Sequence, residues 1–221
     1  LEDGRELRAR LVVAADGRSS IARTMLAVED LGAPMDVFWF RVGKTRSGQG
    51  ALRGNVQRGR LLVMIDRGHY WQCAFLIPKG AAEAFRARGI EAVRAEIAAA
   101  APPDLDLGEL DAIDDLHLLS VKLDRLKRWH RPGLLAIGDA AHAMSPIGGI
   151  GINLAIQDAV AAANLLAGPL ARGEKVDPLL HRVQERRLFP TWIIQAGQRI
   201  AQERIIGRVL SNRPITSAPL P

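Results

Sequence analysis

A chain of 221 residues with 48% hydrophobic and 24% charged residues is long enough to bury a proper core, which excludes intrinsic disorder and a fibrous architecture. The net charge of +6 and pI near 10.2 would suit a polyanionic partner. Lys and Arg are interspersed with Asp and Glu, however, and no basic tract is interleaved with aromatics, so no nucleic-acid partner is expected.

The chain opens on Leu1 and leads through a turn at Asp3-Gly4 into the apolar strand Leu11 to Ala15. A strand this apolar is normally covered on both faces, and the residues from Leu1 to Arg10 are not expected to do so. The turn Asp16-Gly17 follows, then a short helix starting near Ser19 or Ser20, whose hydroxyl can accept an otherwise unpaired backbone N–H. From Met35 to Ile77 the apolar period changes to two. Val37 to Val42, Leu61 to Ile65 and Tyr70 to Ile77 read as strands of an antiparallel sheet. Cys73, the single cysteine, excludes an intrachain disulfide, fits a reducing compartment, and sits in an apolar run where packing is expected over thiol chemistry.

Ala81 to Ala101 turns helical with a break at Gly89, Pro102-Pro103 stops it, and Leu116 to Leu123 alternates again as a strand. Leu134 to Ile137 is a fully apolar strand ending at Gly138-Asp139. After a glycine-rich loop, Ile152 to Leu166 reads as a helix buried around most of its circumference, with Gly168-Pro169 as its stop. Asp139, His142 and Asp158 argue against a membrane span here. Pro178 to Leu188 and Thr191 to Leu210 read as two amphipathic helices, the second buried along Trp192, Ala196, Ile200 and Ile206. Arg182, Arg186 and Arg187, with Glu185 among them, read as a solvated helix face.

The residues that carry chemistry are Gly138-Asp139-Ala140-Ala141-His142, Pro146, and Gly148-Gly149-Ile150-Gly151-Ile152-Asn153. A carboxylate just past a buried strand can accept hydrogen bonds from ligand hydroxyls, and Ala140 leaves room for close approach. The glycines turn backbone N–H groups toward a ligand, and with the following helix N-terminus they favour negative charge. Leu154 stands where a dinucleotide fingerprint needs a third small residue, so the loop is not that fingerprint. No partner stands at metal spacing from His142, and no metal is assigned.

This string resembles the second FAD motif of the class A flavoprotein monooxygenases, the para-hydroxybenzoate hydroxylase family. Ala15-Asp16-Gly17-Arg18-Ser19-Ser20-Ile21-Ala22-Arg23 resembles that family's other internal motif, with Ala14 in place of the leading Gly and Ala22 in place of Val. The resemblance implies an α/β fold: a partial, discontinuous, Rossmann-like FAD-binding domain (1–34 and 124–170), an inserted antiparallel β-rich substrate domain (35–123) and a helical tail (171–221). It also implies that the family's N-terminal nucleotide-binding segment would precede Leu1, so that this polypeptide alone is not expected to retain FAD or to turn over. By resemblance, Gly138, Asp139 and Ala140 meet the ribityl chain, and the backbone of Gly148, Gly149, Gly151, Ile152 and Asn153 meets the flavin's pyrimidine edge. Pro146 lies beside the oxygen-reaction site, and Asp16, Gly17 and Arg23 serve FAD or the pyridine nucleotide.

The chemistry so implied is reduction of FAD by NADH or NADPH, reaction with O₂ to a flavin C4a-hydroperoxide, and oxygen transfer to a small aromatic or quinone-like substrate. Substrate residues are expected on the sheet facing the flavin, with Phe38, Phe40, Trp71 and Phe75 as candidates, in a cytoplasmic or membrane-peripheral enzyme. Halogenases and isoprenoid-chain reductases share the superfamily, and a truncated flavin-binding module without turnover is a further alternative. The halogenase signature Trp-x-Trp-x-Ile-Pro lacks both tryptophans at Cys73 to Pro78.

Overall fold

The computed structural model describes residues 4, 6–44, 52–57 and 59–211, so the turn expected at Asp3-Gly4 falls partly outside the described residues. The chain divides into two compact units, Leu1–Gly32 with Lys122–Arg199, and Ala33–Val121 with Ile200–Pro221. Of the segment 171–221, expected as a helical tail, the residues as far as Arg199 fall in the first unit and the rest in the second. The architecture is α/β with an inserted antiparallel sheet and C-terminal helices.

The first unit begins with strand β1 (Val12–Ala14), shorter than the apolar run that contains it. After it, the Ser20 hydroxyl accepts the amide of Ala22 at 3.1 Å and caps a single 3-10 turn, Ile21–Thr24, where a short helix was expected. Strand β2 (Val28–Asp30) follows.

The second unit is a five-stranded antiparallel sheet of β3 (Met35–Gly43), β4 (Leu52–Gln57), β5 (Arg60–Asp66), β6 (Tyr70–Pro78) and β7 (His117–Leu119), in the order β4-β5-β6-β3-β7. Helices α1 (Ala82–Arg86) and α2 (Ile90–Ala98) are separated at Gly89, whose φ of +79° no helix accommodates. Alternation along the strands sends Phe38, Phe40, Met64, Cys73 and Phe75 to one face, where they form a single core with Val93 and Ile97 of α2. Burial of this kind is worth roughly 1.5–3 kcal/mol for each large side chain. It also pushes the Cys73 thiol up to about 12, which removes it as a nucleophile.

The strand expected over Leu116 to Leu123 pairs only at His117–Leu119, because the chain leaves the ladder to meet Asp36. The Val121 amide donates to Asp36 Oδ1 at 3.0 Å, and Lys79 Nζ and the Gly80 amide complete its shell at 2.7 and 2.9 Å. Burial alone would raise this carboxyl, but Lys79 and the two amides outweigh it and hold it below the usual carboxylate range.

Returning to the first unit, β8 (Asp124–Leu126), β9 (His130–Arg131), β10 (Leu134–Ala136) and β11 (His142–Ala143) complete two small sheets. In one, β10 pairs parallel with β1 and antiparallel with β9; in the other, β8 lies between β11 and β2. Helix α3 (Gly151–Ala171) runs past its expected stop at Gly168-Pro169. It buries Leu154, Asp158, Ala161, Ala162 and Leu166, but not most of its circumference: Ile152, Ile156 and Val160 form an exposed stripe one turn apart. Val12 and Val13 of β1 are exposed as well. Ile147–Ala171 is long and apolar enough to cross a membrane by length and composition, yet its fully buried Asp158 is committed to ion pairs inside this unit.

Helix α4 (Leu180–Ala201) is one continuous helix through Pro190, where two were expected. Pro190 supplies no amide to the turn before it, but Arg187 and Thr191 on either side are buried and anchor the helix across the gap. The buried face of α4 is polar, running through Arg187, Thr191, Gln195 and Gln198, while Trp192 and Ile200 of the expected apolar stripe are about half exposed. A π-helical turn, Gln202–Ile206, leads to α5 (Gly207–Leu210) in the second unit, where α5 packs on β5.

Candidate functional site

Strand β10 ends in the 3-10 turn Gly138–Ala140, which presents Asp139. Gly138 has a φ of +57°, and a Cβ added there would lie 3.0 Å from Ala155 Cβ on α3, so the turn can sit this close to the helix only as glycine. The Asp139 side chain is about one-third exposed and pairs with Arg18 Nη2 at 3.3 Å. Arg18 Nη1 is buried and has no hydrogen-bond partner.

Arg23 is brought to the same turn but is used from behind. Its Nη1 donates to the Asp139 carbonyl at 3.0 Å and its Nη2 pairs with Asp124 at 2.5 Å, both side chains being nine-tenths buried. Asp16 is exposed and not drawn into this cluster, and Gly17, with φ of +87°, makes the turn that accepts the Ser20 amide.

Pro146 opens the loop into α3. Gly148 and Gly149 take φ of +81° and +62°, conformations that L side chains rarely adopt, and Gly149 would meet nothing within 4 Å if given a Cβ. Gly151, Ile152 and Asn153 form the first turn of α3, whose amides have no acceptor within the helix, and Ile152 and Asn153 are exposed. Gln198 of α4 fastens this loop from beneath. Its Oε1 accepts the Ser145 amide at 3.1 Å, and its Nε2 donates to the carbonyls of Ser145 and Ile147 at 3.0 and 2.9 Å. Gln195 bonds the carbonyls of Asp124 and Ala143 in the same way at 2.8 and 3.3 Å. Gln198→Ala would leave buried backbone groups unpaired, and a loss of about 2–3 kcal/mol is expected by urea titration. Gln198→Glu keeps the acceptor for Ser145 but sets a carboxylate oxygen against the two carbonyls, and should recover none of it.

Beneath the Asp139 turn lies a buried charged cluster. Asp158 accepts the Gly138 amide at 3.0 Å and Arg187 Nε at 2.8 Å, and lies 2.6 Å from His142 Nε2. Burial pushes the Asp158 carboxyl up, but His142, Arg187 and the Gly138 amide outweigh it and hold it below the usual value of 3.8. Trp129 packs on His142 with ring centroids 4.9 Å apart. Arg187 is therefore not part of a solvated face, although Arg182 and Arg186 are exposed.

Phe38, Phe40, Trp71 and Phe75 are taken up by the core of the second unit. Phe85 packs on Phe38 and Phe75 at centroid distances of 6.1 and 5.9 Å. The sequence reading did not single out Arg18, Asp124, Asp158, Arg187, Gln195 or Gln198 as site residues. Arg18 lies within the first motif, and Asp158 is the lone acid in an apolar helix, a signal that could have been followed; the glutamines carry none.

A family model described as FAD binding domain matches residues 1–196. The chain is 36% identical over 191 residues to 6-methylpretetramide 4-monooxygenase of Streptomyces rimosus, an alignment covering 84% of this chain and 45% of that protein. It is also 38% identical over 72 residues to 3-demethoxyubiquinol 3-hydroxylase of Escherichia coli, covering 32% of this chain and 18% of that one. The chain thus spans less than half the length of these curated relatives. Its fold is similar to that of PqsL, a probable FAD-dependent monooxygenase of Pseudomonas aeruginosa, with a TM-score of 0.73 at 24% identity, over 95% of this chain and 59% of that one.

Proposed function

The chain belongs to the FAD binding domain family, and from that premise we propose that it forms the flavin-facing part of an NAD(P)H- and O₂-dependent monooxygenase acting on an aromatic or quinone-precursor ring. The observation that carries this reading is the Arg18–Asp139 pair on a turn whose Gly138 lies against Ala155 of α3, the helix into which the Gly148–Gly149 loop leads. A buried guanidinium donor without an acceptor, next to a partly exposed carboxylate, suits a ligand that brings both oxygen acceptors and hydroxyl donors. The ribityl chain of FAD is such a ligand.

In this reading Asp139 accepts hydrogen bonds from ribityl hydroxyls, and Arg18 holds the carboxylate while offering its spare N–H to a neighbouring oxygen. Arg23 and Asp158 fix the turn by its backbone. The amides of Gly149, Gly151, Ile152 and Asn153 donate toward the pyrimidine edge of the ring, where negative charge is favoured at a helix N-terminus. Pro146, which has no N–H, contributes an apolar wall that excludes water. When bound, the flavin supplies acceptance of hydride from NADH or NADPH and activation of O₂. The monooxygenase and hydroxylase names of two relatives support oxygenation as the reaction class.

The test is NAD(P)H consumption by the full-length protein that contains this chain, loaded with FAD, over a panel of phenols and hydroquinone precursors, with products examined for one added oxygen. Consumption stimulated by a subset of the panel, with oxygenated product, is expected. No stimulation across the panel would overturn the reading.

A further inference from the structure

A groove of about 620 Å³ runs between α4 and β8 in the first unit, and the flavin reading makes no use of it. Leu126 and Leu188 line its floor, and Phe189 and Trp192 stand out of it with 68% and 50% of their surface exposed. Protruding aromatic side chains within a charged rim are the anchors that protein–protein interfaces favour.

Two hydrogen bonds give the groove a direction. Gln195 Nε2 donates to the Asp124 carbonyl at 2.8 Å and Gln184 Nε2 to the Lys127 carbonyl at 3.0 Å, so β8 runs antiparallel to α4. One end of the groove therefore carries the Arg125–Glu29 pair, 2.8 Å apart, and the other carries Lys127 and Glu185. Lys127 is exposed and has no acid partner among the described residues, and Glu185 has His181 Nε2 at 4.0 Å, the outer limit of an ion pair. Each end thus holds one cation and one anion. A two-fold axis through the apolar middle, near Phe189, would bring opposite ends together, with Lys127 of one copy against Glu29 of the other and Glu185 against Arg125. Phe189 would then face Phe189 of the other copy. The two acids and two bases of the rim cancel, so the groove lacks the excess positive charge that draws a protein face to an anionic bilayer.

We propose that this groove is the interface of a homodimer, in which the α4 helices of two copies pack antiparallel across Phe189 and Trp192. One helix face and one short strand make a small interface, so association in the micromolar range is expected. None of its side chains belongs to the proposed flavin contacts, so the dimer stands or falls separately from the oxygenase reading.

Sedimentation velocity of the full-length protein that contains this chain, over a concentration series from about 1 to 100 μM, tests it. A shift from monomer to dimer along the series is expected. Phe189→Glu sets like charges face to face on the axis and should weaken the dimer at least about tenfold without moving the melting temperature, because Phe189 is mostly exposed. Lys127→Glu should also weaken it, and adding Glu29→Lys should restore much of the loss by rebuilding the reciprocal pair with its signs exchanged. Under mild oxidation Phe189→Cys should yield a disulfide-linked dimer beyond that of the parent, while Lys175→Cys, exposed and outside the groove, should not. A monomer throughout the series, a dimer that Phe189→Glu leaves intact, or equal cross-linking of the two cysteine variants would overturn the proposal. A monomer that instead co-sediments with phosphatidylglycerol vesicles, and is released by Phe189→Glu, would overturn it in favour of a bilayer.

Discussion

Asp158→Ala is expected to lower the unfolding free energy by about 3–5 kcal/mol, the effect typical of removing one partner from a buried ion pair. The substitution strands the Arg187 guanidinium, nine-tenths buried, and leaves the Gly138 amide and His142 Nε2 without their acceptor. Asp158→Asn keeps shape and one acceptor and should cost less. Asp158→Ala combined with Arg187→Ala should cost less than the sum of the two single changes, because the uncompensated charge is gone. Urea unfolding of the parent and the four variants measures this, and a loss below about 1 kcal/mol for Asp158→Ala would contradict the account.

The same carboxylate sets a pH dependence. Its folded-state pKa lies below the unfolded value of 3.8, so its stabilising contribution is fully present above that value and is lost as pH falls through the folded pKa. Acid unfolding of Asp158→Asn should therefore be flatter with pH below about 4 than that of the parent. Asp36, held low by Lys79 and two amides after opposing burial, adds a second contribution of the same sign in the other unit.

The second large effect is expected on flavin binding. Riboflavin carries the ring and ribityl chain without the nucleotide half, so it probes the proposed contacts alone, read as quenching of its fluorescence. Asp139→Ala should weaken it by about 10–100-fold, the range set by losing hydrogen bonds to a charged acceptor. Asp139→Asn keeps an acceptor and should fall between. Arg18→Ala should also weaken binding, since Arg18 holds the Asp139 carboxylate and has the spare donor. Unchanged riboflavin affinity in Asp139→Ala would remove Asp139 from the site, whatever the enzyme's activity.

Parts of this arrangement were legible in the amino-acid order because their physics is local. An apolar run followed by Gly-Asp signals a strand end, and adjacent glycines signal positive φ. The long strands β3, β5 and β6 announce themselves by alternation over seven to nine residues, whereas β2, β8, β9 and β11 span two or three and show no period. The reading of α4 failed for a different reason. Glutamines at helical spacing look like a solvated face, and only the position of irregular backbone at Lys127, Ala143, Ser145 and Ile147 makes them a buried one. Likewise nothing within Arg182 to Arg187 marks Arg187 as the one whose partner lies 29 residues upstream.

The polar seam of α4 also confers uniqueness. Apolar ridges tolerate sliding, because one methyl contact resembles another. Here a shift of one helical turn, about 5.4 Å, would put Thr191 or Trp192 where Gln195 meets two carbonyls and would bring Ile194 toward the Ser145 amide. Every displaced arrangement leaves several buried backbone groups unbonded, so the helix has one acceptable translation and one acceptable rotation. The loop that Gln198 holds inherits that single address, and a flavin bound there as proposed would meet amides whose positions were decided before it came.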